Sequence, residues 1–293
     1  MDRQTSLTTM LQGRIASVVL PKRITSLLKP SNVASCLVDN NLPQNMRISA
    51  IGLGAFGLSC TQILTRSAHK IPCYQLDSTQ LQHYTTDISD VMSVYPETDL
   101  LFLFADTQLE LSVNILKAHL DSASGIQTVV ICPSQPTQQL LNIFATSNTL
   151  YCAESDPITA CQLVTTVSDF ANHASFDGID ATDVKGYVTG ILQKGNRSFF
   201  ATSCATGLDR GSLASQSVLD QLEKLVSDSD IYSGAIACIY CNHDSYASDF
   251  DQAIVELFRF FLPNSTNKFN IIYNYVIDNS LHDAARVAVL AIV

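Results

Sequence analysis

No stretch of the sequence approaches the ~20 consecutive apolar residues that a membrane-spanning helix requires. The N-terminus also lacks the short apolar core and small-residue cleavage site of a secretory signal. Basic residues are scarce, with 17 Lys and Arg against 27 Asp and Glu, and the net charge of −10 argues against nucleic acid as the main partner. Charged residues make up only 15% and hydrophobic ones 46%, which excludes a disordered chain and predicts one or two globular domains. The nine cysteines lack the spacing of a small disulfide framework, so reduced thiols in a cytoplasmic compartment are expected. Cys238-x-x-Cys241, with His243 nearby, makes half a zinc site, but no second pair accompanies it. On a strand those two cysteines point to opposite faces, so a core strand and no metal is the expectation. Cys161 and Cys204 lie in apolar sequence contexts without an evident base, which argues against a nucleophile.

What charge there is divides unevenly. Residues 1–38 hold Arg3, Arg14, Lys22, Arg23 and Lys29 against Asp2 alone, a balance of +4 that leaves −14 for the remainder. In the same segment Leu7, Met10, Leu11, Ile15, Val18 and Val19 recur at helical spacing until Pro21 ends the pattern. A basic amphipathic helix of this kind can lie on an anionic membrane or dock on a partner. Packing on the body, or removal as an organelle transit peptide, fits the same composition.

After a linker at Asn40–Pro43, strand-like and helix-like segments alternate. "ISAIGLG", "IPCYQLD", "DLLFLFAD" and "IQTVVICPS" read as strands, and 58–68 and 109–120 as helices. Continuous apolar strands alternating with helices predict a doubly wound parallel sheet with ligands at its strand carboxyl ends. Asp156 and Pro157 then open a helix with apolar residues on most sides, expected to be buried between two layers. Beyond it "RSFFATSCATG", "SGAIACIYCNHD", "KFNIIYNYVID" and "AARVAVLAIV" read as strands with helices near 213–226 and 249–262. The expected organisation is an N-terminal extension over 1–45, a Rossmann-like domain over 46–155, a central helix over 156–174 and an α+β domain over 175–293.

The turn Gly52-x-Gly54-x-x-Gly57 between strand and helix matches the dinucleotide fingerprint. Asp77, 20 residues after Gly57, stands where an acid binds a ribose hydroxyl. Any close strand–helix turn also favours glycine, so the motif alone decides little.

The second half of the chain resembles FtsZ, of the tubulin superfamily. "GIDATDV" (178–184) resembles the family's synergy loop, with Asp180 and Asp183 at the spacing of its two acids. "ATSCATGLDRG" matches at Gly207, Asp209 and Arg210, "DIYSGAIACIYCNHD" follows a further family strand, and "IDNSLHDAARVAVLAIV" matches at Asp283, Arg286 and Val287. The resemblance extends back to residue 46: Gly52, Gly54 and Gly57 take the place of the first phosphate loop, and "CYQLDSTQL" brings Asp77 into register. "AESDPI" places Asp156 at the guanine-contacting start of the central helix. The resemblance implies an α/β FtsZ/tubulin-like fold that ends where the family's globular part ends.

The departures from the family carry the functional expectation. Where the family has the glycine loop GGGTGTG, this chain has Ala105-Asp106-Thr107-Gln108-Leu109-Glu110. A phosphate nest needs close backbone approach, and these residues do not readily allow it. Ala55 and Phe56 replace glycines in the first loop, and a phenyl ring there is expected to fill phosphate space. The glycine-rich loop after the second strand is absent from "QHYTTDISDVMSVYPETD", and the segment before Ala153 is shortened. These departures imply an FtsZ-like pseudo-GTPase with no cofactor, assembling with itself or another FtsZ-like protein in a prokaryotic cytoskeletal, division or membrane-associated system. Asp180 and Asp183 are the candidate acids acting in trans on a neighbour's nucleotide, or else caps of the next helix. Leu7, Met10, Leu11, Arg14, Ile15, Val18, Lys22 and Arg23 are the candidate membrane or partner contacts. An NAD(P)-binding oxidoreductase and a GTPase with a rebuilt site stay open as alternatives.

Overall fold

The computed structural model describes residues 46–76, 98–108 and most of 112–293; residues 1–45, 77–97, 109–111, 121–125, 173–180 and 194–196 are the main stretches outside it. Nine strands form one sheet in the order β2-β1-β3-β4-β5-β6-β9-β7-β8. They are β1 (Ile48–Leu53), β2 (Cys73–Leu76), β3 (Leu100–Ala105), β4 (Gln127–Cys132), β5 (Leu150–Ala153), β6 (Arg197–Thr206), β7 (Tyr232–Cys241), β8 (Ser265–Ile277) and β9 (Ala284–Ile292). The pairings from β2 to β6 are parallel, β9 is antiparallel to both β6 and β7, and β8 is parallel to β7. Among the described residues the β5–β6 join is narrow, through Tyr151↔Arg197 and Cys152↔Ser198.

Every residue of β1, β3 and β4 is buried, as expected of apolar strands covered on both faces. The helices that bear on the site are α1 (Gly54–Arg66), α2 (Gln138–Thr146), α3 (Pro157–Asn172), α4 (Ala181–Leu192), α5 (Arg210–Leu225) and α6 (Tyr246–Phe261). One face of the sheet packs on α1, α3 and α4 through Cys60, Leu64, Val164, Val167, Val184 and Val188. The opposite face is covered by α2 and Leu116 over the first five strands, and by α5 and α6 over the last four.

The 16-residue α3 is the axis of the molecule, and most of its residues are buried. It starts beside the carboxyl ends of the parallel strands, since it follows β5. Further along, the Cys238 thiol donates to the Thr166 carbonyl at 3.4 Å, and the Tyr240 hydroxyl donates to Asp169 at 2.8 Å. β7 and α3 therefore advance together, and the carboxyl end of β7 lies near the C-terminal end of α3. The two ends of α3 thus mark two separate regions of surface.

Two expectations need correction. The first helix begins at Gly54 rather than at residue 58, because Gly54 at φ 72° turns the chain directly into it. Cys204 is exposed, not apolar-packed, because β6 runs on past the short β5 and that part of its face is uncovered. The segment between β4 and α3, for which no element was expected, holds α2 and β5, with Thr137 capping α2 by accepting from the Leu140 amide at 3.4 Å.

Candidate functional site

The glycine turn is built for close packing. A Cβ on Gly52 would stand 2.2 Å from the Gly57 carbonyl oxygen, and one on Gly57 would stand 2.7 Å from the Phe104 carbonyl oxygen. Gly52 and Gly57 therefore let α1 lie against β1 and β3, whatever the site holds. Within α1, Thr61 donates to the Gly57 carbonyl at 2.8 Å. Phe56 is half buried and meets Phe104 edge to face, with ring centroids 6.3 Å apart. Its ring is thus anchored on the core at the mouth of the turn.

The next loops carry carboxylates. After β3, Asp106 accepts from the Gln108 amide at 3.0 Å and closes its own turn, while the Gln108 side chain donates to Ser134 at 3.3 Å. Thr107 between them is 2% exposed, and its hydroxyl has no partner among the described residues; neither has that of buried Ser112. After β5, the Glu154 amide donates to the Cys132 carbonyl at 2.8 Å, and the Glu154 carboxylate accepts from the Asp156 amide at 2.8 Å. Burial pushes the Glu154 carboxyl up, opposed by the backbone amides it accepts from. Asp156 caps α3, accepting from the Ile158 amide at 3.3 Å and the Thr159 amide and hydroxyl at 3.0 and 2.7 Å. The Thr159 hydroxyl bond leads in holding its carboxyl below the ordinary value. The strand-end segments 54–59, 106–108, 133–138 and 154–159 contain these three acids and no Lys or Arg.

At the other end of α3, Asp183 lies in the first turn of α4, while Asp180 falls outside the described residues. Asp99 fastens α4 to the amino ends of β1 and β3: it takes Lys185 Nζ at 2.7 Å, the Arg47 amide at 2.9 Å and the Arg47 guanidinium at 3.3 Å. Burial alone would raise the Asp99 carboxyl, but the bonds from Arg47 and Lys185 together bring it below its ordinary value. Asp77 and the whole N-terminal set, Leu7, Met10, Leu11, Arg14, Ile15, Val18, Lys22 and Arg23, lie outside the described residues.

Sequence reasoning missed two polar clusters near that end. Buried Asp169 lies 2.8 Å from His69 Nε2 and also takes the Tyr240 hydroxyl, while the Arg286 guanidinium sits 3.7 Å from the Tyr240 ring centroid. Burial holds the Tyr240 hydroxyl well above its ordinary value. The contacts span 100 and 71 residues in sequence, so no local pattern announces them. In the second cluster Arg210 Nε donates to both Asp249 oxygens at 2.9 Å, and its Nη1 donates to the Asp283 carbonyl at 2.9 Å. Gly211 allows the approach, since a Cβ there would lie 2.2 Å from the Asp249 carbonyl oxygen; Gly207 turns the chain at φ 100° just before. Cys238 faces α3 through Thr166, while Cys241 lies among groups that include Asp249 and Arg210, so the two thiols take opposite faces of β7.

No protein-family model matches the sequence, nor does any curated protein. Solved structures do match. A point mutant of FtsZ from M. jannaschii aligns at a TM-score of 0.63 and 13% identity, covering 85% of this chain and 91% of that one. CetZ from Methanosaeta thermophila aligns at 0.55 and 11%, covering 84% and 86%, and a GDP-bound monomer of CetZ1 from Haloferax volcanii at 0.51 and 9%, covering 84% and 94%. With the parallel sheet, the axial helix and the mixed sheet beyond it, these matches identify the chain as an FtsZ/tubulin-like fold.

Proposed function

We propose that the chain is an FtsZ-like pseudo-GTPase, acting through protein–protein assembly in a prokaryotic cytoskeletal, division or membrane-associated system without hydrolysing GTP itself. The observation that carries this is the loop after β3. At the strand end where the resemblance places a glycine cradle for phosphates, Asp106 closes a side-chain turn, and Glu154 adds charge of the phosphates' own sign. Its partner is a second copy or another FtsZ-like protein, met through the end that carries Asp180 and Asp183. The basic N-terminal segment supplies a contact to anionic membrane or to a partner. The packing role of Gly52 and Gly57 weakens the oxidoreductase alternative, because close contact explains both glycines without a dinucleotide.

Calorimetry with GTP, GDP and NAD(P)H on one sample tests the proposal. GTP should bind no tighter than millimolar, and micromolar affinity or phosphate release would overturn it. Micromolar NADH binding abolished by Gly54→Val would restore the oxidoreductase. For assembly, Asp180→Ala/Asp183→Ala should fold normally and lose co-sedimentation with the partner; unchanged binding would make the acids helix caps only.

A further inference from the structure

We propose that the β8 edge of the sheet, together with the outer side of α6, is a self-association surface whose occupant is the same edge of a second copy of this chain. This contact is additional to the end-on assembly proposed above and does not depend on nucleotide.

β8 comes last in the strand order, and among the described residues no other strand joins it on the side away from β7. Its regular ladder with β7 runs from Asn270 to Ile277, a stretch of about 27 Å. That stretch, NIIYNYVI, has no charge and no proline, and all of it but the two asparagines is β-branched or aromatic. Edge strands are normally blunted by short length, lysine, proline or a bulge. β2, at the opposite edge, is blunted by its length of 4 residues, whereas Asn270–Ile277 has none of these devices.

The helix beside the edge carries more apolar surface than its own chain covers. One side of α6 meets α5, where Asp249 takes Arg210 and closely approaches Gly211. On the side over β8, Phe250, Ile254, Phe258 and Leu262 recur every fourth residue. Phe250 and Phe258 meet Tyr273 with ring centroids 5.8 and 5.9 Å apart, and Phe250 meets Tyr275 at 6.0 Å. These rings all stay half buried, and Leu262 is 64% exposed. The adjoining row is Asp251, Val255 and Arg259, all exposed.

The strand edge calls for another extended strand, and the α6 row calls for apolar surface on the same face of it. A second copy turned about a two-fold axis normal to the sheet offers both, with β8 antiparallel to β8. Because α6 packs over both β7 and β8, the two α6 helices then lie two strand spacings apart, about 10 Å, which is an ordinary helix-packing distance. Residues directly opposite share a face, so Ile271, Tyr273 and Tyr275 meet the same set of the other copy, pairings that stabilise sheets. Charge fits the same partner. The chain carries −10 overall, yet residues 262–277 hold Lys268 and no acid. Antiparallel α6 helices centred on Val255 also set each exposed Asp251 against the other copy's Arg259. The axis reverses α3, so rows built through the Asp180 and Asp183 end run in opposite directions when joined here.

Sedimentation equilibrium of the full chain without nucleotide tests this, from about 1 to about 200 μM, since a small interface of this kind is expected to be micromolar. Asp180→Ala/Asp183→Ala is run in parallel to remove the end-on contact, and it should still dimerise. Amide hydrogen exchange over Asn270–Ile277 should be about threefold slower or more at the high concentration than at the low one. Val255→Lys changes an exposed side chain at the axis, so it should melt like the wild type and dimerise about fivefold more weakly. Val255→Glu should do the same, and mixing the two variants should restore the dimer, because a self-paired surface sets each position against its counterpart. A monomer at the top of the range would overturn the proposal. So would a dimer that Val255→Lys leaves intact, variants that stay apart when mixed, or β8 amides that exchange alike at both concentrations. If Asp180→Ala/Asp183→Ala abolishes all association, the edge contact falls and the end-on contact stands. If Val255→Lys abolishes it and the double variant does not, the edge contact stands and the end-on contact falls.

Discussion

The two halves of the molecule keep their family-like residues for different reasons. In the second half, Gly207 and Arg210 do structural tasks: Gly207 turns the chain at φ 100°, and Arg210 joins the starts of α5 and α6 to the backbone before β9, an approach that Gly211 allows. In the first half, Gly52 and Gly57 are likewise packing residues, but the positions that would touch a ligand hold Phe56, Asp106 and Thr107. Resemblance concentrated in packing residues reports the fold. It says little about chemistry, which resides in the few loop positions where the chain departs from the pattern.

If both sets of glycines serve packing alone, Gly52→Ala and Gly211→Ala should do equal damage. Each places a methyl 2.2 Å from a backbone oxygen, with no flexible side chain to yield. The loss should exceed the ~1–3 kcal/mol of ordinary overpacking, and denaturant unfolding or soluble yield would show it. A tolerated Gly52→Ala beside an intolerant Gly211 would break the comparison and return the first turn to a ligand-binding role.

The next largest effect should come from Arg210. Asp249 is 3% exposed at its side chain and Arg210 14%, so Arg210→Gln takes the guanidinium away from a buried carboxylate. A loss of about 3 kcal/mol is expected, toward the lower end for a broken buried pair because Arg210 is not fully enclosed. Nucleotide binding should be no different in this variant, since the cluster sits at the far end of α3 from the strand-end loops.

Burial periodicity made most of the fold readable in advance. β1, β3 and β4 are unbroken apolar runs, and Asp156-Pro157 carries its helix start in two adjacent residues. β5 is four residues long and α2 nine, too short for a period to stand out. The candidate site was half readable. The lost glycines and the new acids are visible in sequence, whereas the Asp169 and Arg210 clusters depend on partners 39 to 100 residues away. Only folding brings such groups together.

A pH experiment sharpens the contrast at the amino ends of the strands. Asp99 is held below the ordinary carboxylate value in the folded protein, so its unfolded pKa is the higher of the two. Its stabilisation is therefore complete above about pH 4 and disappears as pH falls through the lowered folded value. Asp99→Asn should cost about 1 kcal/mol at pH 7, a modest figure because Arg47 and Lys185 are each about half exposed. The gap between the wild type and the variant should close on acidification. A gap that persisted below the folded pKa would mean that the ion pairs are not the source.

The smallest expected effect is a gain. Gly186 and Gly190 lie one turn apart in α4, and an added Cβ at either would meet nothing within 4 Å. Neither glycine is needed for packing among the described residues, so alanine at each should stabilise the helix by about 0.5–1 kcal/mol through reduced backbone entropy. Tyr187 beside them is 54% exposed, and Asp183 occupies the first turn of the same helix. The double variant Gly186→Ala/Gly190→Ala therefore separates two roles for α4. If this helix contributes to the partner contact proposed for Asp183, two methyls on its open face should weaken co-sedimentation while the melting temperature rises. If Asp183 only caps the helix, the melting temperature should rise and co-sedimentation should stay as it was. In that case the assembly surface belongs elsewhere on the molecule, and the comparison between its two ends would have to be redrawn around the strand-end loops alone.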